Sequence, residues 1–141
     1  MTSTYHIAAY CSSFMGEKMD PDCSIEKQEA AIKELVEQKF PGSSVTLFAD
    51  RDCSGNTFQQ CEGFQAMIQG FISNEYDILV MKRLSRISGF NNRGLMALEE
   101  LRDLGVRIIS IDDDIDFPTA GDWLKIQMQF LVSSIPVEDA P

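Results

Sequence analysis

Apolar and polar residues follow one another in blocks that predict four strands, each followed by a helix. Short apolar runs at residues 5–11, 45–49, 78–81 and 106–111 have the length of strands. The third run, ILVM, shows no alternation of apolar and polar positions, which is typical of a strand buried on both faces of a parallel sheet. Polar segments with glycine or proline separate each run from the next helix.

The first three helices are predicted from apolar residues at helical spacing. Ser24 is placed to cap the first helix, Pro41 and Gly42 end it, and Gly105 ends the third, which covers about residues 92–104. The second helix has the most regular stripe, which we assign to core packing. The stripe residues are Ile25, Ile32, Leu35 and Val36 in the first helix, Phe64, Met67, Ile68, Phe71 and Ile72 in the second, and Leu95, Leu98 and Leu101 in the third.

The last predicted helix, which starts near residue 119, is apolar over more than one face. A helix of this kind needs partners on two sides, so we expect one side to pack on its own sheet and the other on a second chain. Trp123, Met128 and Leu131 are the candidate dimer residues. We expect residues 1–135 to form a single domain and residues 136–141 a short polar tail, with no DNA-binding domain.

Strands alternating with helices predict an α/β fold with three layers. We expect a mainly parallel, four-stranded sheet with helices on both faces, right-handed crossovers, and a C-terminal helix that offers a dimer surface.

Composition narrows the possible functions. The 141 residues are 44% hydrophobic, as in an ordinary globular domain, and carry a formal net charge of −10. This negative charge argues against the chain binding nucleic acid on its own. The sequence has no apolar run of membrane-spanning length and no signal-peptide layout, so we expect a cytoplasmic location. Four cysteines without paired spacing and one histidine favour free thiols over a metal site. We also expect no cofactor and no small-molecule ligand.

Cations collect where the third strand ends. Lys82, Arg83 and Arg86 follow the apolar run directly. Because functional groups gather at the carboxyl ends of parallel strands, these residues favour an anion site, most plausibly for phosphate. A solvated loop with surface charges stays open as the alternative. The acidic run at residues 112–116 is interpreted as a solvated acidic loop in preference to a cation site.

Four segments share an order and spacing with a known family. They are AAYC at residues 8–11, SIEKQ at 24–28, FADRDCSG at 48–55 followed by EGF at 62–64, and DILVMKRLSR at 77–86. With them the chain resembles the N-terminal catalytic domain of serine recombinases, the resolvase and invertase family, and particularly the large serine recombinases of mobile elements. The resemblance spans nearly the whole chain.

The resemblance implies a site-specific recombinase that cuts and rejoins DNA. In that family a serine after the first strand attacks a phosphodiester and forms a 5′-phosphoserine. Arginines around the serine stabilise the charge that develops on the phosphoryl group.

When the family's site residues are compared with this chain position by position, several of them are missing. The serine nucleophile and three arginines are replaced, whereas three other phosphate-site residues are kept as a remnant. The replaced positions hold Ser12, Phe14, Cys61 and Gly89, and the kept residues are Gln28, Lys82 and Arg86.

Because phenylalanine cannot attack phosphorus, we expect the domain to be inactive and to have a protein-interaction or relic role. The expected partners are a second copy of the chain or an active serine recombinase, with DNA binding weak or absent on its own. The alternative is an active recombinase in which a register shift lets Ser12 or Ser13 act as the nucleophile.

Overall fold

The computed structural model describes residues 4–12, 24–50, 62–83, 92–117 and 122–133. It contains the α/β arrangement that the sequence predicts, with one more strand than expected. The strands are β1 His6–Ser12, β2 Ser44–Asp50, β3 Ile78–Met81, β4 Arg107–Ser110 and β5 Ile115–Phe117. The helices are α1 Ile25–Lys39, α2 Glu62–Ile72, α3 Asn92–Asp103 and α4 Asp122–Ser133.

The strands form one sheet in the order β2-β1-β3-β4-β5, in which the first four strands are mutually parallel. Ala9 in β1 lies opposite Leu47 in β2 and Val80 in β3, which fixes the register of the sheet. All four parallel strands therefore end at the same edge. As predicted, β3 is buried along its whole length.

Helices cover both faces of the sheet, which confirms the three-layer prediction. Among the described residues, one core lies under α1 and the other lies under α2, α3 and α4. The α1 core contains Ile7, Ala9, Cys11, Ile25, Ile32, Val36, Phe40, Ile78, Val80 and Ile109. Alternate residues of β1, Ala8 and Tyr10, face the other core and pack with Phe64, Met67, Leu98, Leu101 and Ile126.

The fifth strand corrects both the expected strand number and the interpretation of residues 112–116 as a wholly solvated loop. β5 pairs antiparallel with β4, with Ile115 opposite Ser110 and Asp116 opposite Ile109. Ile115 is buried in the core under α2, α3 and α4. Asp116 accepts two hydrogen bonds from Arg107, at 2.8 Å from Nε and 2.6 Å from the terminal nitrogen. Backbone pairing and this ion pair therefore hold a segment whose own sequence looks like a loop.

The helix ends mostly follow the sequence signals. The Ser24 hydroxyl accepts the Lys27 N–H at 3.2 Å and caps α1, and Gly105 ends α3 with φ +83°. The α2 stripe is not wholly core, however, because Ile72 is 46% exposed. Ile72 is the last residue of α2 and therefore lies beyond the part of the helix that packs on the sheet. No helix in the described ranges is long and apolar enough to cross a bilayer.

Candidate functional site

The parallel strands bring four polar side chains to one edge of the sheet. Ser12 and Asp50 are the last residues of β1 and β2, Lys82 follows β3, and Ser110 ends β4. In open α/β sheets this edge is where ligands bind. The contacts of these residues show what chemistry the edge can support.

Ser12 is held by Gln28 from the second turn of α1. The Ser12 N–H donates to Gln28 Oε1 at 3.1 Å, and Gln28 Nε2 donates to the Ser12 carbonyl at 2.8 Å. Both residues are buried. A side-chain amide that matches a main-chain peptide in this way satisfies two buried polar groups at once. The Gln28 amide, assigned above to the phosphate site, thus joins α1 to the end of β1.

Tyr10 and Asp50 link β1 to β2 inside the core. The Tyr10 hydroxyl donates to Asp50 Oδ2 at 2.8 Å, and the Tyr10 ring packs edge-on against Phe64 with 5.2 Å between centroids. The pKa of Tyr10 is raised well above its ordinary value, first by burial and then by the charge and the hydrogen bond of Asp50. A hydrogen bond with the Ser12 side chain lowers this pKa but is outweighed. Tyr10 therefore stays protonated and cannot serve as a general base.

Asp50 also caps α2 from a different element. Its Oδ1 accepts the Gly63 N–H at 2.7 Å, and its Oδ2 accepts the Phe64 N–H at 2.9 Å. These N–H groups are at the start of α2, where the helix dipole favours a negative charge. A side chain at position 63 would not fit, because a Cβ there would lie 2.9 Å from the Ala49 carbonyl oxygen. Glycine at position 63 thus allows the start of α2 to hydrogen-bond with the Asp50 carboxylate.

The cations after β3 are paired with an acid after β4. Lys82 Nζ and Arg83 Nε each donate to Asp112 Oδ2 at 2.7 Å. The main chain continues the pairing of the two strands, since the Asp112 N–H donates to the Lys82 carbonyl at 2.8 Å. Burial acts to raise the Asp112 pKa, but the hydrogen bonds and charges of the two cations outweigh it, and the net pKa is lowered. Asp112 therefore remains ionised at neutral pH.

Cys11 is a buried free thiol next to this edge. Burial, with smaller effects from the charges of Glu29 and Glu26, raises its pKa to about 12. Since the thiolate is the reactive form, Cys11 is not a nucleophile at neutral pH.

Of the residues that the sequence assigns to the phosphate site, the structure describes Ser12, Gln28, Lys82 and Arg83. Ser12 and Gln28 contact each other, whereas Lys82 and Arg83 both contact Asp112. The remaining site residues, Ser13, Phe14, Cys61, Arg86 and Gly89, lie outside the described residues.

Sequence reasoning missed Asp50, Gly63 and Asp112. In the sequence, both acids directly follow an apolar run, as Lys82 does. That position was the available signal for the two acids.

On α4, the candidate dimer residues have different surroundings. The Trp123 ring lies 5.5 Å from that of Phe117, and the Arg102 guanidinium is 4.5 Å from the Trp123 ring centroid. Trp123 is thus half-buried against its own core, whereas Met128 is 51% and Leu124 62% exposed. The backbone places Leu131 in the same helix.

The fold and this edge define an α/β domain with a polar site at the carboxyl ends of its parallel strands. The sequence matches the family "Resolvase, N terminal domain" over residues 12–138, and the chain belongs to that family. None of the curated proteins compared matches it.

Solved structures show the same fold. The N-terminal catalytic domain of TP901-1 integrase superposes with a TM-score of 0.74 at 19% identity, covering 96% of this chain and 99% of that one. A resolvase family site-specific recombinase from Streptococcus pneumoniae gives a TM-score of 0.68 at 20% identity, covering 96% and 90%. The C-terminal catalytic domain of ISC1926 TnpA, an IS607-like serine recombinase, gives 0.59 at 21% identity, covering 91% and 78%.

Proposed function

We propose that this resolvase-family domain does not cut and rejoin DNA and that it acts through protein contacts. The observation that carries the proposal is Phe14 at the position that corresponds to the family's nucleophilic serine. A phenylalanine offers no oxygen for attack on phosphorus. The simultaneous replacement of three arginines, by Ser12, Cys61 and Gly89, removes the charge stabilisation as well; each such donor contributes about 10²–10³ in rate.

The surroundings of Ser12 support the same conclusion. Its side chain is fully buried and hydrogen-bonds to Tyr10, and its main chain is engaged by Gln28. A nucleophile has to approach phosphorus in line and needs a base within hydrogen-bond reach. Tyr10, with its raised pKa, is no such base.

The protein contacts are assigned to the outer side of α4. Leu124 and Met128 are one helical turn apart and both are largely exposed. The partner we propose is a second copy of the chain or an active serine recombinase, which the domain would pair with and inhibit or tune. With a net charge of −10, DNA binding by the chain alone is expected to be weak or absent.

The test is a search for a covalent protein–DNA adduct. Purified chain is incubated with plasmids carrying the DNA that flanks its own gene, and the products are separated under denaturing conditions beside an active serine recombinase. We expect no adduct. An adduct that maps by mass spectrometry to Ser12 or Ser13, and that is lost in the Ser12→Ala or Ser13→Ala variant, would overturn the proposal.

The second candidate function is an active, divergent site-specific recombinase that uses a phosphoserine intermediate. Family membership favours it, together with the kept residues Lys82 and Arg86. The adduct experiment distinguishes the two, because only this candidate forms a bond between serine and DNA.

A further inference from the structure

We propose that a cavity at the amino-terminal edge of the sheet binds an organic cation, an ammonium or guanidinium group on an apolar stem, with Asp77 as its charged partner. The cavity has a volume of about 830 Å³, within the range of about 300–1,000 Å³ that is typical of ligand sites. None of the described residues of α4 or of the carboxyl edge lines it. The proposal is therefore independent of the function proposed above.

The cavity lies where the parallel strands begin. Tyr5 directly precedes β1, Asp77 precedes β3 and Val106 precedes β4, and all three line the cavity. The α2 and α3 helices end at the same edge, at Ile72 and Asp103. Because the last turn of a helix carries the negative end of its dipole, two helix ends here favour a positively charged ligand.

Asp77 is held in place with one carboxylate oxygen left for a ligand. Its N–H donates to the His6 carbonyl at 2.7 Å, and its carbonyl accepts the Arg107 N–H at 3.3 Å. Its Oδ2 accepts the His6 N–H at 2.9 Å. No described residue donates to Oδ1. A ligand that donates to this oxygen meets a carboxylate that the main chains of two neighbouring strands already position.

The positive charge within the cavity is compensated. Arg107 is the one cation among the described residues that line it, and it donates to both oxygens of Asp116 at 2.8 and 2.6 Å. Asp77 therefore leaves the cavity with a net negative charge. The formal net charge of the chain, −10, has the same sign and attracts cations at long range.

Apolar side chains provide a surface for the stem of the ligand. Ile72 and Leu104 line the cavity and are 46% and 49% exposed. The Tyr76 ring packs edge-on with Phe48 and Phe71, at 5.5 and 5.7 Å between centroids, so this aromatic wall is already formed. Aromatic rings also attract cations. A ligand with an apolar stem would cover the exposed side chains while its charge reaches the carboxylate.

The first test uses the wild type and two probes of the same shape, butylguanidinium and butylurea, of which only the first is charged. Binding is followed by the main-chain amide signals in two-dimensional NMR at constant ionic strength. We expect butylguanidinium to bind about fivefold more tightly, the upper range for a partly exposed ion pair, and to shift the signals of Asp77 and Gly105 but not that of Ser110 at the opposite edge. Equal affinity of the two probes, or an equal shift at Ser110, would overturn the proposal.

The second test compares Asp77→Asn with Glu75→Gln. Each variant removes one negative charge from the same end of the fold, but Glu75 does not line the cavity, and no described residue pairs with its side chain. The asparagine oxygen can still accept the His6 N–H. We expect Asp77→Asn to weaken butylguanidinium binding about fivefold and to leave butylurea binding unchanged, and Glu75→Gln to bind both probes as the wild type does. Equal losses in the two variants would show that only the overall charge matters and would overturn the site.

A third probe, a capped five-residue peptide with one central arginine, distinguishes the two sources of such a cation. If the peptide shifts the same signals and binds more tightly than butylguanidinium, the ligand is the side chain of a partner protein. If it binds no more tightly, the ligand is a small organic cation. A failure of both cationic probes to shift the Asp77 and Gly105 signals would contradict the proposal without bearing on the adduct experiment.

Discussion

A single carboxylate, Asp50, connects three elements at the carboxyl edge of the sheet. It receives a hydroxyl from β1 and two N–H groups from α2 while it belongs to β2 itself. A buried charge is costly unless several donors surround it. Here three donors and the start of a helix do so, which makes Asp50 the residue on which the order of this edge depends.

Removing the hydroxyl of Tyr10 tests this role. We expect Tyr10→Phe to lower the free energy of unfolding by about 1–2 kcal/mol, since a buried hydrogen bond to a charged group is lost while the ring remains. Urea unfolding followed by circular dichroism measures it. Tyr76→Phe is the matched control, because no described residue hydrogen-bonds to the Tyr76 hydroxyl, and it should change stability by less than about 0.5 kcal/mol. Equal effects of the two variants would contradict the argument.

The sequence predicted single site residues better than their partners. The cation Lys82 was identified because it follows a buried strand, but its partner Asp112 is 30 positions away and follows the next strand in the sheet. Only the strand order places the two side by side. Gln28 was identified through the resemblance, and its contact with the Ser12 main chain became visible only in three dimensions.

At the scale of elements, the position of α2 depends on the absence of a side chain. A Cβ at residue 63 would lie 2.9 Å from both the Ala49 carbonyl oxygen and Asp50 Oδ1. The first of these atoms belongs to a strand and cannot move alone. The start of α2 would therefore have to shift away from β2.

We expect Gly63→Ala to destabilise the domain by about 1–3 kcal/mol, the usual cost of overpacking. The sign is informative, because glycine to alanine in an unobstructed helix stabilises by about 0.5–1 kcal/mol. Thermal and urea unfolding measure the change. A variant as stable as the wild type, or more so, would show that α2 does not lie this close to β2.

The edge strand β5 is held by the Arg107–Asp116 ion pair. The pKa of Asp116 is lowered, chiefly by the hydrogen bonds from Arg107 and also by the positive charge of Arg107. Burial acts in the opposite direction but is outweighed. A carboxyl whose pKa is lower in the folded chain stabilises the fold above its unfolded pKa and loses that contribution as the pH falls through the folded pKa. The contribution of Asp116 is thus complete at neutral pH and disappears in acid.

We expect Asp116→Asn to lower the free energy of unfolding by about 1 kcal/mol at pH 7. The effect is small because the Arg107 and Asp116 side chains are both about one-third exposed to solvent. The difference from the wild type should shrink as the pH falls below about 4. Urea unfolding across pH 3 to 7 measures it. Asp103→Asn serves as the control. The Asp103 side chain, which pairs with Arg102, is 71% exposed, so this ion pair should contribute little to stability at any pH. A difference that does not depend on pH would rule out the ion pair as the cause.

Element prediction succeeded where a segment carries its own pattern. The stripes of α1, α2 and α3 and the apolar runs of the four parallel strands are local signals, and all appear in the structure. β5 has only three residues, and the acids around it indicate a loop. Its strand character comes from β4 and Arg107, which no local pattern contains.

At the scale of the whole fold, the helices in the described part of the chain are divided unequally, with α1 on one face of the sheet and α2, α3 and α4 on the other. On the three-helix side, α4 contributes the fully buried Ile126 to the core, while Leu124 and Met128 point outward. A helix that is apolar on two sides needs a second partner. The outward residues are therefore where we expect another chain to pack.

We expect the wild type to be a dimer in solution and Met128→Glu to shift it to a monomer, since two carboxylates would be placed in an apolar interface. The dissociation constant should rise at least about a hundredfold, the effect of losing a central interface residue. Light scattering after size exclusion measures the mass, both alone and after mixing with a full-length serine recombinase from the same genome. Met96→Glu is the matched control, because Met96 is 64% exposed on α3 and the chemical change is the same. If Met96→Glu dissociates the dimer and Met128→Glu does not, the interface lies on α3. If the wild type is monomeric both alone and in the mixture with the recombinase, a function through protein contacts loses its physical basis.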